Sequence, residues 1–100
     1  MSCKDITTSS GIYQIRNIVN GKVYVGSAVN IVRRWAKHRN ELNLGIHKTS
    51  RLQRSWKKHG ADKFVFEVLE LVCEKASLIS VEQKYFNEIR PFDTSIGYNT

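Results

Sequence analysis

Asn20-Gly21, set between two short runs rich in Ile, Val and Tyr, constrains this chain more than any other feature. Such a dipeptide between β-prone runs is the strongest short-range hairpin signal, because Asn and Gly accept the positive-φ conformations of a tight antiparallel turn. The flanking runs, 11–18 and 22–27, each carry a tyrosine: Tyr13 in Gly11-Ile12-Tyr13 and Tyr24 in Tyr24-Val25-Gly26. With an even-numbered loop (Asn20-Gly21 alone, or 19–22), Asn17 is expected opposite Tyr24 and Ile15 opposite Gly26. Side chains alternate faces along a strand, so the two phenols then share one face of the sheet. A one-residue bulge would part them.

Downstream, turn and cap signals divide the chain cleanly. Asn30 is the expected N-cap of a helix running to about Leu44 and closed by Gly45, with Ile31, Trp35, His38 and Leu42 in one narrow stripe. Arg34 lies at the edge of that stripe, one turn before His38. A second helix is expected from about Ser50 to His59, stopped by Gly60, with Leu52 and Trp56 on its apolar side. Phe64–Val72 reads as a strand apolar on both faces, as in a sheet covered on both sides. A third helix is expected from about Lys75 to Arg90, ended by Pro91. Residues 1–10 are polar and read as a flexible leader, with one domain over 11–100. The order ββααβα indicates an α+β domain with helices packed on a three-stranded sheet.

Charge narrows the class of partner. The formal net charge of +7 divides into +2 over residues 1–32, +8 over 33–63 and −3 over 64–100. A concentrated basic stretch is the footprint of a polyanion-binding surface, although a solvated helix face would also carry such charges. Arg33, Lys37, Arg51, Arg54, Lys57 and Lys58 are the candidate contacts to a nucleic-acid backbone. No apolar run approaches a membrane span and the first residues form no secretory signal, so a cytoplasmic protein is expected. Cys3 and Cys73 stand alone in sequence and are expected to be reduced, with Cys73 packed.

Glu82 is the carboxylate out of place. On the third helix Leu78, Ile79, Tyr85, Phe86 and Ile89 define an apolar arc, and Glu82 projects from its centre. A carboxylate there is costly unless it binds a metal or pairs with a cation, for instance Arg34. Arg34 itself suits the charge that builds on phosphate oxygens during phosphodiester hydrolysis; it would otherwise be a solvated helix arginine like Arg33. Tyr13 and Tyr24 could orient or deprotonate a water if a cation lowers their pKa, or could simply pack. His38 fits a satisfied core histidine as well as a catalyst. His59, before Gly60, fits a cation at a helix C-terminus.

The ordered set of Gly11-Ile12-Tyr13, Tyr24-Val25-Gly26-Ser27-Ala28, Arg33-Arg34-Trp35, His38, His47, Lys58-His59-Gly60, Glu82 and Gly97-Tyr98-Asn99 resembles the GIY-YIG nucleases. It spans residues 10–100 and is most like the N-terminal catalytic domain of phage group I intron homing endonucleases. The resemblance implies an antiparallel sheet and a divalent-metal-dependent endonuclease that hydrolyses DNA. It implies Tyr13, Tyr24, Arg34, His38, His47, Glu82 and Asn99 as the active-site set, with Glu82 holding Mg²⁺ or Mn²⁺. Ser27-Ala28 replaces the polar group that repair members of the family carry near the site, which favours the homing branch. The expected partner is DNA, met by a monomer with no membrane association and no DNA-targeting domain within the chain. The competing readings are a non-catalytic nucleic-acid-binding module of the same fold and an interaction protein for an acidic partner.

Overall fold

Asn17 and Lys22 close the N-terminal hairpin in the computed structural model of the chain, which describes residues 10–99. Strands β1 (Gly11–Asn17) and β2 (Val23–Ala28) pair antiparallel with Tyr13 opposite Gly26 and Ile15 opposite Tyr24. The register therefore differs by two residues from the expected pairing of Asn17 with Tyr24. A four-residue loop placed one residue earlier than 19–22, at 18–21, explains the shift because its polar groups satisfy one another. The Asn17 side-chain oxygen accepts from Val19 N at 2.8 Å, Gly21 N donates to Asn17 O at 2.8 Å, and Asn20 Oδ1 accepts from Lys22 N at 2.9 Å. Gly21 takes φ +76°, the left-handed conformation this loop requires. A slip of two residues preserves the side-chain alternation, so Tyr13 and Tyr24 still share a face.

Strand β3 (Phe64–Leu71) pairs antiparallel with the other edge of β1, giving the order β2-β1-β3. The expected α+β class and antiparallel sheet are both present. Helices α1 (Ile31–Leu44), α2 (Ser50–His59) and α3 (Leu78–Ile89) begin and end close to the sequence signals. Asn30 Oδ1 accepts from Arg33 N at 3.0 Å, and Gly45 ends α1 at φ +77°. Residues Lys75–Ser77 form a 3₁₀ turn ahead of α3 rather than its first turn.

The two faces of the sheet carry separate cores. Tyr13, Ile15, Ala28 and Phe64 pack with Ile31 and Leu42 of α1, Leu52 and Trp56 of α2, and Tyr98. On the opposite face Ile12, Val23, Val25 and Val72 pack with Leu78, with Val81, Tyr85, Phe86 and Ile89 alongside. Ile79 is 79% exposed, correcting its place in the expected arc of α3: Val81, on the other flank of that stripe, meets the sheet instead. The basic helices α1 and α2 thus lie on one side of the sheet and α3 on the other.

The tail after α3 returns to cover the free edge of β2, where unpaired backbone groups would otherwise be left open. Gly97 bridges Val23 in parallel, Val23 N donates to Ile96 O at 3.1 Å and Tyr98 N donates to Val23 O at 2.9 Å. Most of the expected flexible leader lies outside the described residues. Ser10 does not: it is buried, its hydroxyl donates to Val72 O at 2.5 Å, and its carbonyl accepts from Val72 N at 2.9 Å. Cys73 is exposed in the loop after β3, which corrects the expectation of a packed thiol, and Cys3 lies outside the described residues.

Candidate active site

Tyr13, Tyr24, Arg34, Glu82 and Asn99 line one open cleft of about 310 Å³, together with Gly26, Ser27, Lys48, Phe86 and Phe92. Its position follows from the topology. The phenols belong to the face covered by α1, whereas Glu82 belongs to α3 on the opposite face, and the two layers meet around the edge strand β2. Arg34 is exposed on α1 at the rim, and Glu82 is half-buried. Among the described residues the Glu82 carboxylate makes no hydrogen bond or salt bridge, so the expected alternative of an ion pair with Arg34 is not formed.

His38 and His47 do not line the cleft; they form its floor. The Tyr13 hydroxyl lies 2.6 Å from His38 Nε2, His38 Nδ1 lies 2.7 Å from His47 Nε2, and Thr49 N donates to His47 Nδ1 at 3.1 Å. The Tyr24 ring meets His38 edge-on at 5.4 Å and His47 edge-on at 6.1 Å. Gln53 secures this loop: its Oε1 accepts from His47 N at 3.0 Å and its Nε2 donates to Leu42 O at 2.9 Å.

Burial sets the protonation of these groups. It pushes the Tyr13 phenol well above its ordinary value, Tyr24 and Glu82 adding to the rise and Arg34 opposing it. Burial raises Tyr24 as well, with a hydrogen bond from Thr49 and the charge of Arg34 acting against it. Burial lowers His38 to about 3, helped by His47 and the cations Arg34, Lys48 and Lys37. His47 is lowered too, again chiefly by burial.

Asn99 is structural as well as lining. Its Oδ1 accepts from Val25 N and its Nδ2 donates to Val25 O, both at 2.8 Å, so one side chain imitates a strand residue beside the Tyr24–Gly26 segment. Arg51 in turn donates to Gly97 O at 3.1 Å and to Asn99 O. Its guanidinium is engaged with the tail, unlike the exposed Arg33, Lys37, Arg54, Lys57 and Lys58. Arg54 and Lys58 line a second groove of about 290 Å³ with Lys22, His59 and Tyr98, and among the described residues no carboxylate lines it.

Two places can be weighed for a metal ion. Glu82 offers an unpaired carboxylate in an open polar cleft, a donor set that fits a hard cation keeping several waters. Among the described residues one group of three, His38, Glu41 and His47, also brings ligand atoms within 4.8 Å of one another. The contributions of Lys48, Thr49 and Gln53 had no sequence signal, since each depends on which loop is brought alongside.

Residues 9–99 match the GIY-YIG catalytic domain. The chain belongs to the GIY-YIG family. Its domain is 42% identical over 91 residues to intron-associated endonuclease 1 of Enterobacteria phage T4, covering 90% of this chain and 36% of that protein. It is 32% identical over 94 residues to a probable intron-encoded endonuclease 1 of Neurospora crassa, covering 88% of this chain and 29% of that protein. The chain therefore spans about a third of the length of these curated relatives. The solved catalytic domain of the homing endonuclease I-TevI superposes with a TM-score of 0.80 at 42% identity, covering 90% of this chain and 96% of that one. A mutant of the I-TevI catalytic domain gives 0.81 at 41% identity, covering 91% and 92%. This chain is thus a GIY-YIG catalytic domain similar to that of the homing endonuclease I-TevI. Among its described residues no helix is long and apolar enough to cross a membrane.

Proposed function

We propose that the chain hydrolyses DNA phosphodiester bonds with the help of a divalent metal ion, inside the cell and as a monomer. The observation that carries this reading is the convergence of Tyr13, Tyr24, Arg34 and Glu82 on one cleft from four different elements and both faces of the sheet. The Arg34 guanidinium, exposed at the rim beside Tyr13, pairs with the non-bridging oxygens as charge builds on phosphorus. Glu82 would hold the ion, and Mg²⁺ or Mn²⁺ suits a site with one carboxylate. When bound, such an ion supplies positive charge to a phosphate oxygen and to the leaving 3′-oxygen.

The tyrosines orient the attacking water. Both phenols retain their protons in the resting cleft because burial opposes the phenolate. Accepting the water's proton requires the positive charge gathered beside them, and Arg34 already acts in that sense on both. His38 and His47 hold Tyr13 from below, and Asn99 fixes the backbone of β2 between Tyr24 and Gly26. All seven residues belong to one chain, so one copy suffices. The exposed cations of α1 and α2, with the groove beside Arg54 and Lys58, follow the DNA backbone without reading its sequence.

Cleavage of supercoiled plasmid with Mg²⁺, Mn²⁺ or EDTA tests the reading, comparing the parent with Glu82→Ala and Arg34→Ala. Nicking that requires metal and is lost in both variants, with DNA binding and fold retained, is the expected result. DNA binding without cutting under any metal would favour a non-catalytic module of the same fold.

A further inference from the structure

The buried chain from Thr49 through His47 and His38 to Tyr13 has one self-consistent direction. A backbone N–H can only donate, so Nδ1 of His47 accepts from Thr49. A neutral imidazole carries a single N–H, which places the His47 proton on Nε2, facing His38 Nδ1 at 2.7 Å. That nitrogen must then accept, and the His38 proton sits on Nε2, facing the Tyr13 oxygen at 2.6 Å. We propose that the Thr49 amide fixes both histidines as Nε2–H tautomers, so that His38 donates a hydrogen bond to Tyr13 and does not take its proton.

The reverse direction fails on geometry. If Tyr13 donated to His38, the His38 proton would move to Nδ1 and meet the His47 N–H head-on. Charging either ring fails for the same reason. An imidazolium at His47 turns an N–H toward the Thr49 N–H, and one at His38 turns an N–H toward that of His47. Both rings are buried, 4% exposed for His38 and 6% for His47, so no solvent relieves either conflict. The lowered pKa values of both histidines agree with this neutral state.

Two consequences follow for the site. Tyr13 keeps its own proton on the side away from His38, toward the cleft it lines. When that proton leaves, the hydrogen bond from His38 becomes charge-assisted and strengthens, stabilising the phenolate without charging the histidine. His38 is thus a positioning residue acting through Tyr13. The same tautomers make the group with Glu41 a poor cation site. A metal at His47 Nε2 would displace the only ring proton while Thr49 still occupies Nδ1, leaving an imidazolate. The catalytic meaning rests on the nuclease reading proposed above; the direction of the chain does not.

Two-bond ¹H–¹⁵N correlation of the ¹⁵N-labelled chain at neutral pH, without DNA or metal, reads each tautomer directly. Nε2–H forms at both His38 and His47 are expected in the parent, and Nδ1–H at either ring overturns the proposal. Thr49→Ala keeps the amide and the pattern, whereas Thr49→Pro removes the donor and releases His47 to a mixture. An unchanged His47 signal in a folded Thr49→Pro variant also overturns it; if that variant does not fold, the parent spectrum decides. In cleavage assays His38→Gln, whose amide can donate, is expected to keep roughly tenfold more activity than His38→Leu. Equal losses would overturn the positioning role alone, leaving nuclease activity itself to the plasmid assay.

Discussion

Gly26 stands directly across the β1–β2 pair from Tyr13, and a Cβ added to it would lie 2.6 Å from the Tyr13 hydroxyl oxygen and 2.8 Å from its Cζ. The glycine is required for space, since its φ is not positive. The phenol crosses the room that a side chain would fill and so reaches His38. Gly26→Ala is therefore expected to push the ring aside, break the hydrogen bond to His38 and destabilise the fold by about 1–3 kcal/mol. Urea denaturation measures the cost. In a Tyr13→Ala background the same substitution should cost almost nothing, and an equal cost in both backgrounds would place the conflict elsewhere.

The buried histidines predict how stability depends on pH. Unfolded histidine titrates near 6.5, whereas folded His38 is lowered to about 3 and His47 is lowered as well. Between those values the unfolded chain binds more protons than the folded one, so stability falls as pH drops below about 6.5 and is full above it. Each differential proton contributes a slope of about 1.4 kcal/mol per pH unit. The groups acting on the pair include Lys37, Arg34 and Lys48, which disfavour its protonation, and Glu41, which opposes them at His47. Carboxylates join only at lower pH, as Glu67 and Asp93 are held below their ordinary range by hydrogen bonds from Arg16 and Ser95. Unfolding free energies between pH 7 and 5 should slope more steeply in the parent than in His38→Gln; matching slopes would refute the account.

What was legible in the sequence was local. Asn30, Gly45, Gly60 and Pro91 mark element ends because capping and φ preferences act within a few residues. The shared face of Tyr13 and Tyr24 was legible for a more robust reason: parity survives a two-residue slip, although the register itself did not follow from Asn20-Gly21. The flank of α3 that meets the sheet was not legible. On a helical wheel Ile79 lies about 60° from Glu82 and Val81 about 100° away on the other side, so periodicity favours Ile79, and the placement of the sheet overrides it. Nor could spacing reveal that Arg51 holds the tail, which is distant in sequence, or that the Thr49 amide meets His47 while the loop after α1 turns that ring onto His38.

Asn99 joins the tail to the site through both hydrogen bonds to Val25. Asn99→Ala strips a buried N–H and a buried carbonyl of their partners at once, and the expected loss is on the order of 2–4 kcal/mol. Asn99→Asp keeps an acceptor for Val25 N but turns a carboxylate oxygen toward Val25 O, so it should restore little. Amide hydrogen exchange at Val25 provides the local readout. Protection unchanged in Asn99→Ala would show that the strap does not hold the strand.

Arg51, Arg54 and Lys58 lie close together on α2 yet should behave differently toward DNA. Arg54 and Lys58 are exposed along the groove, which no carboxylate lines among the described residues, and can neutralise phosphates. Each phosphate contact releases condensed counterions, so its loss should lower the slope of log K against log[salt] by about 0.9 in duplex DNA. Arg54→Ala and Lys58→Ala are expected to do so and to weaken binding alike across unrelated sequences. The Arg51 guanidinium is already occupied by the carbonyls of Gly97 and Asn99. Arg51→Ala should leave the salt slope near that of the parent while lowering stability through the released tail. Fluorescence anisotropy over a KCl series separates the two effects, and a slope change at Arg51 equal to that at Arg54 would show that its charge meets DNA after all.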